Sequence, residues 1–136
     1  MAPYAIAKIE GIGPVYTQML RKAGIRTTVS LLNRTRDAKG RRELAAATEI
    51  SETLILKWTN MADLMRIKGV GEEYSQLLEA AGVDTVKELR HRNAANLTKA
   101  LQEANEKLRL VRSLPGEKVV ARWIEHAATL PPMLTY

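Results

Sequence analysis

The chain contains no cysteine and no phenylalanine, and only two tryptophans and two histidines. Without cysteine there is no disulfide, no thiolate nucleophile and no cysteine-ligated zinc. His91 and His126 stand alone, with no carboxylate pair nearby at metal-ligand spacing. No glycine loop ends in the Lys-Ser/Thr of a nucleotide-phosphate site. No apolar stretch approaches the roughly 20 residues of a membrane span, and none at the N-terminus resembles a signal peptide. These absences predict a soluble, cytoplasmic, non-enzymatic protein with no metal, no cofactor and no membrane partner.

A length of 136 residues allows one compact domain, or two small halves sharing a core. Hydrophobic residues make up 46%, enough to fold, while a net charge of +6 and an isoelectric point near 9.8 favour a polyanionic partner such as nucleic acid. Residues 1–64 carry 10 Lys and Arg against 6 Asp and Glu, and residues 65–136 carry 11 against 9. The first half is therefore the more basic.

The stretch Ile9 to Leu20 places Gly11 and Gly13 one residue apart among apolar side chains, with Pro14 directly after. Glycine can reverse the chain in few residues, and proline suits the first turn of a helix. Val15, Met19 and Leu20 recur at helical spacing, and Gly24 suits the helix end. The spacing predicts a helix, a tight glycine hairpin and a second helix. That second helix begins with free backbone N–H groups, a natural anion site.

The pattern recurs 58 residues later: Ile67, Gly69, Gly71, Tyr74, Gln76, Leu78, Ala81 and Gly82 stand where Ile9, Gly11, Gly13, Tyr16, Gln18, Leu20, Ala23 and Gly24 stood. Thr27 and Leu31 likewise match Thr85 and Leu89. Two copies in register over more than twenty residues signal a duplication. These segments resemble helix-hairpin-helix motifs, the sequence-independent DNA-binding hairpins of repair and recombination proteins. The whole chain resembles a bacterial family of tandem helix-hairpin-helix proteins of unassigned function. The resemblance implies an all-α fold of two pseudo-symmetric repeats, residues 1–64 and 65–136, packed as one domain. It also implies phosphate contacts from Gly11, Gly13 and the Val15 amide, and from Gly69, Gly71 and the Glu73 amide. Glu72 and Glu73 fill the first turn of hairpin two, where they satisfy the helix dipole and repel a phosphate, and Lys68 compensates in part.

Elsewhere the chain reads as follows. Met1 to Pro3 is a loose start and Tyr4 to Lys8 a short helix. Thr27 caps a helix through Leu32, and Thr85 with Glu88 forms a capping box. Asn33 to Arg42 is a basic loop in which Gly40 supplies flexibility, and a helix follows from about Gly40 to Thr48. Ser51 and Gly116 start helices with apolar stripes around Trp58 and Trp123, both expected in the core, and Tyr16 and Tyr74 share a packing role. Asn93 starts a helix carrying Leu97, Leu101, Ala104 and Leu108. The tryptophans are 65 residues apart, so an insertion of about seven residues lies within 101–113. The tail from Leu130, broken by Pro131 and Pro132, packs along the surface or stays loose.

Arg34, Arg36, Lys39, Arg41 and Arg42 form the strongest single-sign run, and Arg21 and Lys22 extend it. With hairpin one they make the expected surface for sequence-independent nucleic acid, with DNA the ligand that the resemblance implies and RNA left open, and with Lys68, Gly69 and Gly71 as lesser contacts. The alternative is a protein–protein interaction scaffold on the same fold.

Overall fold

The structure, a computed structural model, describes residues 4–136; the expected loose start at Met1 to Pro3 lies outside them. The protein is all-helical: α1 Pro14–Lys22, α2 Thr28–Thr35, α3 Ala38–Thr48, α4 Glu52–Leu64, α5 Glu72–Ala80, α6 Val86–Leu89, α7 Ala94–Leu108 and α8 Glu117–Thr129. A single 3-10 turn, Ile6–Lys8, stands where a short first helix was expected. It is confined because Ala5 pairs in extended form with Thr27, and Thr28 N–H donates to the Tyr4 carbonyl at 2.9 Å. No strand forms among the described residues, and none of their helices is long and apolar enough to cross a membrane.

Helices α1 and α5 begin after two-glycine turns and end alike. Gly24 and Gly82 adopt φ of 87° and 93°, a left-handed conformation that a Cβ disfavours. Their N–H groups return to Arg21 and Glu79, while Ile25 and Val83 N–H return to Leu20 and Leu78, both at 2.9 Å. This double closure satisfies the last carbonyls and drives Ile25 and Val83 into the core.

The caps of α2 and α6 reverse one expectation. Thr27 and Ser30 form the reciprocal capping box, with Ser30 N–H on Thr27 Oγ1 at 3.1 Å and Thr27 N–H on Ser30 Oγ at 3.0 Å. In the second half Thr85 Oγ1 accepts from Glu88 N–H, but the Glu88 carboxylate reaches one residue further back, to Asp84 N–H at 3.2 Å. Helix α2 runs to Thr35, and α3 starts at Ala38 under an Asp37 cap that accepts from Gly40 N–H at 2.7 Å. The expected basic loop is thus mostly helical. Gly40 is there for space rather than flexibility, since a Cβ on it would overlap the Arg34 carbonyl oxygen.

The buried apolar side chains fall into two clusters, one from Ile6 to Met65 and one from Leu64 to Ala127, which meet where α4 ends. Trp58 on α4 and Trp123 on α8 are 1% and 3% exposed. Tyr16 meets Trp58 edge-on at 5.0 Å, and Tyr74 meets Trp123 at 5.2 Å, a favourable aromatic geometry. The expected buried face of α7 holds at Leu97 and Leu101, but Leu108 is exposed at its end. The extra length of the second half is spread out: α7 is 15 residues against 11 for α3, and a longer connection, Arg109 to Gly116, precedes α8.

Two buried charges join the halves. Asp63 at the end of α4 accepts from Arg66 Nη1 at 2.8 Å and, through its other oxygen, from Val86 N–H at 2.8 Å. Val86 is the counterpart of Thr28, so one backbone N–H is served by extended chain in the first half and by a carboxylate in the second. The tail is strapped down, not loose. Arg41, Arg66 and Arg90 donate to the carbonyls of Thr135, Pro131 and Leu130 at 2.7, 2.7 and 2.6 Å. Thr135 N–H donates to the Arg36 carbonyl, and the Tyr136 hydroxyl lies 3.1 Å from Asn60 Oδ1.

Candidate nucleic-acid interface

In hairpin one, Ile12 N–H closes onto the Ile9 carbonyl at 3.1 Å and Gly11 takes φ of 91°. Behind it sits the Trp58 indole: a Cβ on Gly11 would lie 3.5 Å from Nε1. Gly13 is extended and Pro14 opens α1, so the first turn contains no acidic residue. Thr17 N–H returns to the Gly13 carbonyl, while no group among the described residues accepts from the amides of Gly13, Val15 or Tyr16. These donors surround the positive end of the α1 dipole. The Val15 side chain beside them is 73% exposed. Glu10, also exposed, occupies the position that Lys68 holds in hairpin two, a carboxylate outside the expected contact set.

Hairpin two repeats the backbone, with Val70 N–H on the Ile67 carbonyl at 3.0 Å, Gly69 at φ 90° and the Trp123 indole nitrogen 3.4 Å from a Cβ placed there. Its surroundings differ in three ways. Glu72 and Glu73 lie in the first turn of α5. The Tyr4 ring covers Gly71, with its hydroxyl 3.7 Å from where a Cβ would stand. Lys68 N–H donates to His126 Nδ1 at 3.1 Å, tying the hairpin to α8. Hairpin one has no such cover at Gly13, where a Cβ would meet nothing within 4 Å.

Of the basic residues singled out, Arg21, Lys22, Arg34, Arg36, Lys39 and Arg42 are exposed. Arg21 and Lys22 sit in the last turn of α1, about 8–13 Å along its axis from the open amides at 1.5 Å per residue. Lys39 lies 4.0 Å from Glu43 on the solvent side of α3, a contact worth little. Arg41 corrects the expectation. Only 6% exposed, it donates to the Thr35 carbonyl at 2.9 Å as well as to Thr135, and the Tyr136 ring lies 5.7 Å from its guanidinium carbon. It is a structural pin and presents no charge to a ligand. The corner formed by Arg34 and Arg36 sits against the strapped tail, through the bond from Thr135 to the Arg36 carbonyl.

Charge at the far ends of α1 and α5 is also inverted. Where α1 ends in Arg21 and Lys22, α5 carries Glu79, whose carboxyl is pushed above its ordinary value chiefly by burial, with Lys57 opposing and Asp84 adding. Lys57 Nζ is 3.8 Å from it. Among the described residues no three His, Asp or Glu side chains gather as metal ligands do.

No curated protein matches the chain significantly, and no solved structure does. Residues 10–130 match the family described as a domain of unknown function, DUF4332, and the chain belongs to that family.

Proposed function

We propose that this protein binds nucleic acid, in the first place duplex DNA, without sequence preference and without catalysis, on a fold built from two helix-hairpin-helix repeats. The observation that supports this reading is the open first turn of α1: three unpartnered amides, no carboxylate in the turn and no cover over Gly13. A phosphate oxygen suits such donors because it is alike at every base, so the contact positions the strand and leaves sequence unread. Arg34, Arg36, Lys39 and Arg42, together with Arg21 and Lys22, add exposed positive charge to the same half. Hairpin two, with Glu72 and Glu73 in its first turn and Tyr4 against Gly71, contributes less. The cytoplasm is the location that accords with this role.

A second reading, a protein-interaction scaffold, draws on the exposed Val15 side chain at the hairpin tip. Gel shifts with random duplex and single-strand probes at two salt concentrations separate the readings. Counterion release makes nucleic-acid binding fall steeply with salt, whereas a scaffold retards no probe.

A further inference from the structure

Two cavities adjoin hairpin two. One, of about 410 Å³, is walled by Tyr74, Trp123 and Val119 and edged by Lys68, Arg122 and His126. The other, of about 460 Å³, opens beside Tyr4 and Arg66 and shares Lys68, Gly69 and His126 with the first. Both volumes lie within the roughly 300–1,000 Å³ of small-molecule sites. No carboxylate lines either cavity, although Glu72 and Glu73 lie nearby in the chain.

The nitrogens around this space are set up to donate. The Lys68 backbone N–H can only donate, so His126 Nδ1 carries the lone pair and, in the neutral ring, Nε2 carries the proton. Lys68 and Arg122 are exposed and in no ion pair among the described residues, whereas Arg66 is committed to Asp63. Tyr74 is held by its hydroxyl on the Ser113 carbonyl at 2.9 Å, so its ring is a fixed wall. The corresponding positions of the first half hold Glu10 for Lys68, Lys57 for Arg122 and Met61 for His126. There the lysine is turned to Glu79. The second copy alone combines an aromatic wall with a rim of two cations, unpaired among the described residues, and a histidine N–H donor.

The geometry points to a binding site for a nucleoside monophosphate group: a planar ring against Tyr74, which Trp123 backs from the core, with its phosphate held by Lys68, Arg122 and the His126 Nε2–H. The group is carried either by a free nucleotide or by the 5′-phosphorylated end of a strand. The site stands apart from the open amides of hairpin one and does not depend on them.

Calorimetric titration of the full chain with AMP, adenosine and inorganic phosphate tests this. AMP is expected to bind at least tenfold more tightly than either fragment. Lys68→Gln with Arg122→Gln weakens AMP at least tenfold, while Lys99→Gln with Lys107→Gln, an equal loss of charge on α7, changes it less than twofold; circular dichroism checks each fold. A deoxyoctamer that displaces AMP only when 5′-phosphorylated identifies a strand end, and failure to displace identifies a free nucleotide. The proposal is overturned if AMP fails to bind or binds no better than its fragments. It is equally overturned if the Lys68 and Arg122 changes have no effect, or if the α7 pair weakens AMP as much.

Discussion

Replacing Asp63 by Ala removes one small side chain and breaks two buried contacts at once. Asp63 and Arg66 side chains are each 3% exposed, and 2.8 Å separates the paired atoms. Truncation leaves the Arg66 guanidinium buried with only the Pro131 carbonyl as partner, and leaves Val86 N–H, in the first turn of α6, without an acceptor. Stranding a buried charge this way costs about 3–5 kcal/mol. With an unfolding entropy of about 2.1 cal/mol/K per residue, the melting temperature should fall by roughly 10–17 °C. The double variant Asp63→Ala with Arg66→Met removes the orphaned charge as well, and should recover part of the loss. Thermal melts by circular dichroism, with urea unfolding for the free energies, read both. A loss under about 1 kcal/mol for Asp63→Ala, or a double variant less stable than the single one, would refute the claim that this pair joins the halves.

Trp58→Ala and Trp123→Ala should each cost about 3–5 kcal/mol in urea unfolding, since both indoles are buried behind a hairpin glycine. Tyr136 is 69% exposed overall, and the partial burial of its phenol raises it above its ordinary 10.0, with Glu88, Asp84 and Asp63 adding and Arg41 opposing, a rise that solvent keeps small. The folded state therefore prefers the neutral phenol: this contribution is complete below pH about 10 and is lost as pH rises through the folded-state value. Spectrophotometric titration of the native chain against Tyr136→Phe should show that the variant loses absorbance change from the alkaline side of pH 10, and a difference centred below pH 10 would count against the strapped tail.

The hairpins were legible because their determinants are local: paired glycines, a proline at the helix start, a glycine past its end. The tryptophan stripes were legible for the same reason, but spacing alone could not show that each indole backs onto the first glycine of its hairpin. Arg41 belongs by sequence to a charge run, yet it shares a helical stripe with Leu44 and Thr48, both buried. Asp63 also left a trace, since a carboxylate near a helix C-terminus opposes the dipole and calls for a partner. That partner lies partly on α6, 23 residues away, and the tail carbonyls lie up to 94 residues from the arginines that hold them. Contacts at such range leave no periodic pattern in the chain. The candidate site was legible as a paired-glycine turn, but the cover that Tyr4 gives Gly71 was not.

The central claim is that α1 presents open amides to a phosphate, and the salt dependence of binding to random duplex tests it most directly, measured for the native chain and for Pro14→Glu with Val15→Glu. The native protein should bind with log K falling linearly against log salt. The variant, with carboxylates occupying the α1 dipole, should bind more weakly, with a slope shallower by about 0.9, the equivalent of one phosphate. Binding and slope unchanged in a variant that circular dichroism shows to be folded, or no duplex binding by the native chain at low salt, would contradict the account.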